Sequence, residues 1–346
     1  MKKIIVFLGL LLLVCGCGRS DDKNLFKDLK KKVDDSSAYH MSGTLEIYRN
    51  EEKYTYNVDS SYQKGDLFKV SLINQNNNHE QIILKNNDGV YVITPSLNKS
   101  FKFQSDWPYN NSQIYLLQPI ITDLYNDTSR TIEKNNDGYI LTSKVNYSSE
   151  KEFAKQRIYV DKDKNITKVE VLDSADNVKM ILTVIEIDYK AKFDTDYFSA
   201  NKYQISEESK ENKTTQNNTN NITNESQSNK ESTTSKLEDI VYPMYVPVDT
   251  QLSGQDIVQT TNGERAILTF TGESAFTVVQ ETLNDAKSTN YVYGDPYLIL
   301  DTVGSITDYS VSWISNGVEY SVMSDTMNID ELLTVAQSIS VRTVGK

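Results

Sequence analysis

The residues in this chain that could do chemistry are few, and their spacing argues against most kinds of catalysis. There are two cysteines, Cys15 and Cys17, and two histidines, His40 and His79. A thiolate nucleophile or a zinc site needs such residues at short separations, with a base or further ligands close by. His40 falls at a helix-to-strand junction and His79 in an Asn-rich loop, so both read as structural or solvated side chains. The sequence contains neither a Gly-x-Ser-x-Gly elbow nor a Gly-rich phosphate loop. Asp161, Asp163 and Asn165 alternate like the start of a calcium loop. Ile166, however, stands where that loop needs glycine, and Leu172 where it needs a bidentate acid, so a polar β-turn is the better reading. Among forty-eight acidic residues no pair is singled out by spacing for glycosidase-type work. The expectation is a non-enzymatic protein with no cofactor and no metal.

The two cysteines belong to a different kind of chemistry. Met1 is followed by Lys2 and Lys3, an apolar run over 4–14, and then Cys15, Gly16 and Cys17. This is the basic start and apolar middle of a secretory signal, and the run is too short to span a bilayer. A Cys just after a small residue at the end of such a run resembles the lipobox of bacterial lipoproteins. Cys17 is the better acceptor, because Gly16 at the cut is small whereas Val14 before Cys15 is branched. The resemblance implies a signal peptide over 1–16, a lipidated N-terminus over 17–21, and a mature chain anchored to the extracytoplasmic face of the cell membrane.

Charge agrees with that placement. Loss of Lys2 and Lys3 with the leader takes the net charge from −12 to −14, and residues 239–346, with fourteen Asp or Glu against four Lys or Arg, carry −10 of it. Such a surface is repelled by nucleic acid and by anionic lipid. With no polybasic segment, membrane attachment rests on the lipid at Cys17.

Composition also divides the chain. Residues 204–238 are Ser, Asn, Thr, Glu and Lys with almost nothing apolar, and cannot bury enough surface to offset chain entropy. They read as a disordered linker with a reach on the order of 30 Å. The domain before it, 22–203, opens with Leu25, Phe26, Leu29 and Val33 on one helix face. Alternating, β-rich runs follow, joined by turns such as 86–89 and 135–138, both Asn-Asn-Asp-Gly. The segment 113–125 breaks the pattern, with Ile114, Leu117, Ile121 and Leu124 on one helical face and Pro119 predicting a kink or two short helices. The domain after the linker, 239–346, predicts strands over 265–271, 297–303, 310–315 and 318–323 and a helix over 274–287 with Phe276, Val279 and Leu283 inward. Asn316-Gly317 signals a hairpin, and Asn328 with Glu331 a capped final helix. It is expected to be a small acidic α+β domain.

Aromatic richness, with twenty-two Tyr, peaks at Phe101, Phe103, Trp107, Tyr109 and Tyr115. Such a cluster either fills strand core or lines the apolar mouth of a cavity under helix 113–125. Trp107, Tyr109, Ile114, Leu117 and Ile121 are the candidate lining.

Several phrases carry a family likeness: the lipobox, the short amphipathic helix, the strand start at Ser42-Gly43-Thr44, the passage from Lys99 to Tyr109, the helix through Leu116 and Pro119, and the stretch from Phe193 to Phe198. Together they resemble the sporulation and germination lipoproteins of the GerS type, which are similar in fold to the carrier LolA and the regulator RseB. The resemblance implies an α+β chain whose first domain is a LolA-like half-open antiparallel β-barrel with covering helices over an apolar pocket. It also implies a protein partner in the cell envelope, a peptidoglycan amidase in the GerS branch. The second domain resembles a small module of unknown function found in lipoproteins and anti-sigma proteins of low-GC Gram-positive bacteria, marked here by Trp313, Gly317, Tyr320 and the ending 330–339. GerS-type proteins end before it. A lipid anchor keeps the protein where it was made, which suits a fixed partner or receptor better than a shuttle. The leading expectation is a binding or regulatory partner in sporulation or germination; the alternative is a receptor for a lipid or other apolar ligand.

Overall fold

The computed structural model describes residues 19–49, 52–147, 153–203, 236–261, 263–283, 288–299 and 301–339. The expected signal peptide, Cys17 and nearly all of the expected linker lie outside the described residues. Helix α1 (Arg19–Asp34) leads into strands β1 (Ala38–Arg49), β2 (Glu52–Gln63), β3 (Leu67–Asn74), β4 (Glu80–Asn86), β5 (Gly89–Thr94) and β6 (Lys99–Gln104). Helix α2 (Leu117–Asn126) is followed by β7 (Thr131–Lys134), β8 (Gly138–Lys144), β9 (Lys155–Asp161), β10 (Ile166–Leu172) and β11 (Val178–Asp188), then a single turn, α3 (Ala200–Tyr203). The C-terminal part comprises β12 (Thr250–Thr260), β13 (Gly263–Gly272), β14 (Phe276–Thr282), β15 (Ser288–Tyr293), β16 (Asp295–Ile299), β17 (Thr302–Ile306), β18 (Ser310–Ser315), β19 (Val318–Met323) and α4 (Ile329–Ser338).

The first eleven strands form one antiparallel sheet in the order β6-β5-β4-β3-β2-β1-β11-β10-β9-β8-β7. This sheet must wrap. Phe103 on β6 and Leu141 on β8 are nine places apart in strand order yet bury into one core with Leu25, Leu29 and Val33 of α1. In a flat sheet nine spacings would hold them about 43 Å apart. Register shifts at Ser42/Gly43 and Val171/Leu172 supply local bends. The end strands do not pair with each other, so the chain folds as the α+β half-open barrel expected, with α1 and α2 over its concave face. The 193–203 segment covers the outer face of β4 and β5, where Phe198 packs with Ile82, Leu84, Tyr91 and Ile93. Burial on both faces explains why β4 reads as a continuous apolar run.

Turn chemistry behaves as the residues dictate. Gly138 closes its hairpin at φ 149°, and a Cβ there would lie 2.0 Å from the Val160 carbonyl oxygen. Asn316 and Gly317 both have positive φ, 50° and 78°, as a two-residue hairpin turn requires. The Asp161 turn is closed by its own residues: the Asp161 N–H donates to the Asn165 carbonyl at 2.9 Å, and the Asn165 N–H donates to the Asp161 carboxylate at 2.7 Å.

Some expectations need correction. The 113–125 helix begins only at Leu117, so Pro119 sits in the first turn, where no intrahelical acceptor awaits its missing N–H, and no kink results. Residues 274–287 do not form a helix. Phe276, Val278, Gln280 and Thr282 alternate inward along β14, whose β-branched content and two strand partners outweigh the helical spacing of Phe276, Val279 and Leu283. The single strand expected over 297–303 is two strands, β16 and β17. Strands β12 and β15 were not foreseen.

The C-terminal strands form a second sheet, β12-β13-β14-β19-β18-β17-β16, with α4 on its inner face. Asn328 caps α4 by accepting from the Glu331 N–H at 3.0 Å, as its spacing predicts. One strand leaves this sheet: β15 runs parallel to β6 and becomes the twelfth strand of the first.

Candidate functional site

The concave mouth of the half-barrel, where an apolar pocket was expected, is closed by the chain itself. Pro296, Tyr297 and Leu298 of β16 face Leu45 and Ile47 of β1, Met180 of β11, and Ile114 and Tyr115 from the loop before α2. The apolar cavity left between them has a volume of about 50 Å³. Drug-sized ligands occupy clefts of roughly 300–1,000 Å³, so this space is several-fold smaller than such a cleft.

Several contacts hold the closing module, among them a hydrogen bond from the Ser105 hydroxyl to Asp295 Oδ1 at 2.5 Å. Strand β15 pairs with β6 from Ser288 opposite Lys99 to Tyr293 opposite Gln104, with the Ser100 and Thr289 hydroxyls 2.8 Å apart. The buried amide of Gln81 imitates a backbone partner: its Nε2 donates to the Val303 carbonyl at 3.1 Å while its Oε1 accepts from the Val303 N–H. Arg49 donates from Nη2 to the Tyr297 hydroxyl at 3.2 Å. Asp301, in the turn between β16 and β17, is enclosed by this junction, and burial pushes its carboxyl above the ordinary carboxylate range.

A second concavity lies outside the barrel, beside α2. This open groove of about 450 Å³ is walled by Pro108, Tyr109, Pro119, Thr122, Asp123, Asp127 and Lys144. Burial pushes the Asp123 carboxyl up to about 6, against the opposing effect of a hydrogen bond from the Ser112 hydroxyl at 2.6 Å. Ser112 in turn accepts from the Asn146 N–H at 2.6 Å, tying the loop before α2 to the segment after β8. Burial also raises Asp127, but hydrogen bonds from Ser129 and from the Lys144 N–H outweigh it and leave that carboxyl below its ordinary range.

The five candidate lining residues are therefore separated. Trp107, Leu117 and Ile121 are enclosed in the main core, and Ile114 is buried at the wall of the closed mouth. Tyr109 is 59% exposed at the rim of the outer groove, its hydroxyl donating to Asp66. The start of α2 shows why its neighbours are buried. The Tyr39 hydroxyl, itself fully buried, accepts from the Leu117 N–H at 3.3 Å and donates to Gln118 Oε1 at 2.7 Å. It does the work of a cap where Leu116 has no polar side chain.

The residues that sequence reasoning missed are Arg49, Gln81 and the stretch from β15 to β17. Tyr291-Val292-Tyr293 has β-rich composition that signals a strand, but its partner β6 lies about 190 residues earlier in the chain. His40 Nε2 is 2.9 Å from Asp59 Oδ1 across β1 and β2, and His79 is exposed in its loop. Among the described residues no group of three or more His, Cys, Asp or Glu could hold a metal ion, and no helix is long and apolar enough to cross a membrane.

No family model matches the chain. Among solved structures, the MucA/MucB complex of Pseudomonas aeruginosa aligns with 92% of this chain and 97% of that one, at 13% identity and a TM-score of 0.32. The CwlD amidase from Clostridioides difficile in complex with the GerS lipoprotein aligns over 51% of this chain and 99% of that one, at 20% identity and a TM-score of 0.31. A LolA superfamily protein from Nitrosomonas europaea aligns over 52% of this chain and 98% of that one, at 9% identity and a TM-score of 0.31. Likeness at that level carries no information about function. Sequence kinship is stronger: the sporulation protein YdcC of Bacillus subtilis (strain 168) is 31% identical over 349 residues, covering 98% of this chain and 98% of YdcC. With that identity sustained from end to end, the chain belongs to the family of the sporulation protein YdcC.

Proposed function

We propose that this chain is a non-enzymatic partner protein of the sporulating-cell envelope, held by lipid on Cys17 at the extracytoplasmic face of the membrane. Membership of a sporulation-protein family supplies the process. The observation that carries the binding role is the closed mouth, where Pro296, Tyr297 and Leu298 fill the space an apolar ligand would need and leave about 50 Å³. A half-barrel whose concave face is already occupied acts through its outer surfaces, and a receptor for an acyl group gains no support from this geometry. The GerS-type resemblance makes a peptidoglycan amidase the first partner to test.

The experiment is capture from sporulating-cell lysate by the mature protein carrying Cys17→Ser, with vegetative lysate as control. Enrichment of an envelope protein from the sporulating cells alone is expected. Native mass spectrometry that finds a stoichiometric lipid and no enriched protein would overturn the reading. For the anchor, Cys17→Ala should shift the full-length protein out of the membrane fraction, because the lipid supplies about 0.8 kcal/mol per buried CH₂ and no polybasic segment replaces it. A variant that stays in membranes would refute lipid attachment at this cysteine.

A further inference from the structure

The two sheets have four end strands: β15 and β7 in the first, β12 and β16 in the second. An end strand offers unpaired backbone groups to any extended chain, and proteins blunt this with short strands, Lys, Pro or a cover. Two of the four are blunted, and a third is about half as long as the last. Strand β7 has four residues and ends on Lys134. Strand β16 carries Pro296 and lies against the closed mouth. Strand β15 has six residues and covers β6, with Tyr291 and Tyr293 exposed along it.

Strand β12 differs on each count. It runs for 11 residues without Lys, Arg or Pro and pairs on one side with β13, with one register shift at Leu252/Gly254 that leaves Gly254–Thr260 in regular pairing. Leu252, Ile257 and Val258 are 43%, 54% and 41% exposed along it. Tyr242, Met244, Tyr245 and Val248, just upstream, are exposed as well, so half of the large exposed hydrophobics among the described residues fall within 242–258.

Charge selects the occupant. Asp249 and Asp256 lie just before and within this strand, and Glu264 and Glu273 at either end of neighbouring β13, in a region that carries −10 overall. Arg265, the cation on neighbouring β13, is already engaged by Glu281 through Nε and Nη2 at 2.8 and 2.6 Å. A second copy would bring the same negative charge to the contact, and an anionic membrane surface is repelled in the same way. We propose that β12 is a docking edge for an extended, Lys- or Arg-rich segment of a partner protein, which adds to the second sheet as a further strand. Backbone hydrogen bonds supply affinity in such strand addition, while alternate side chains and charge supply selectivity. The proposal rests on the reading of the chain as a partner-binding protein and assigns the surface.

The test uses the mature chain with Cys17→Ser and three labelled synthetic peptides: alternating Lys and Val, alternating Glu and Val, and the Lys–Val peptide N-methylated at alternate amides. Fluorescence anisotropy should show saturable binding of the Lys–Val peptide, about tenfold or more tighter than the Glu–Val peptide and weakened by salt. N-methylation should abolish it, since the strand donors are removed while charge is kept. Asp256→Lys, with unchanged thermal unfolding, should weaken it, and hydrogen exchange should slow at β12. Equal binding of the three peptides, no saturable binding of the Lys–Val peptide, or protection away from β12 would each overturn the proposal. So would a concentration-dependent dimer that protects β12 in the absence of peptide. If Asp256→Lys still captures the sporulation partner and no peptide binds, the edge assignment fails while the partner reading stands.

Discussion

Asp123 offers a sharp check on the electrostatics of the outer groove. Its carboxyl titrates near 6 in the folded protein rather than at its ordinary 3.8, because burial beside α2 disfavours the charged form more than the Ser112 hydroxyl favours it. A raised carboxyl binds its proton more tightly when folded, so its contribution to stability is fully present below its unfolded value and is lost as pH rises through about 6. At face value the ionised form costs about 3 kcal/mol above that pH. The groove is open to water, and solvent screening reduces this to about 1–2 kcal/mol. Asp123→Asn keeps an oxygen to accept from Ser112 and removes the charge. The variant should therefore melt roughly 2–6 °C above the parent at pH 8. The gap should close as pH falls toward 4. Paired thermal unfolding across that range by circular dichroism decides the matter. An Asn variant less stable at pH 8, or a gap that does not change with pH, would refute the argument that burial dominates at this site.

Leu117 is fully enclosed at the first turn of α2, so Leu117→Ala should cost about 2–5 kcal/mol in denaturant unfolding and leave partner capture by the folded fraction unchanged. A mild loss of stability with weakened capture would instead make Leu117 part of a binding groove. Gln81→Leu leaves the Val303 N–H and carbonyl without their side-chain partner, at a cost of about 1–3 kcal/mol, and should speed hydrogen exchange in β16 and β17 before the rest of the molecule. Uniform exchange would show that Gln81 does not hold the module. The polar composition of 204–238 predicts first cleavage there by a dilute protease. Because β15 completes the first sheet, the two fragments should co-elute on native gel filtration and separate only in denaturant. Fragments that part at once would mean that the β6–β15 pairing does not hold the two regions together.

Local chemistry was legible in the sequence wherever one segment could decide its own structure. The stripe Leu25, Leu29 and Val33 is buried on α1 because helical spacing alone puts those residues on one face. Gly138, the Asn316-Gly317 pair and the Asn328 cap hold their places because backbone geometry at those positions admits few other residues. The meander from β8 to β11 follows from alternation and short turns between neighbours in sequence. Where periodicity was ambiguous, tertiary pairing decided: Phe276, Val279 and Leu283 fit one face of a helix, yet β13 and β19 on either side make 276–282 a strand. Trp107, Ile114 and Leu117 read equally well as core or as pocket lining, because burial against the protein's own residues and burial against a ligand demand the same apolar side chains. Only the three-dimensional arrangement distinguishes them, by placing Tyr297 and Leu298 against Leu45 and Ile47 and tying Gln81 to Val303 across 222 positions. Contacts at that separation leave no local pattern, since loop closure joins segments whose compositions carry no record of one another.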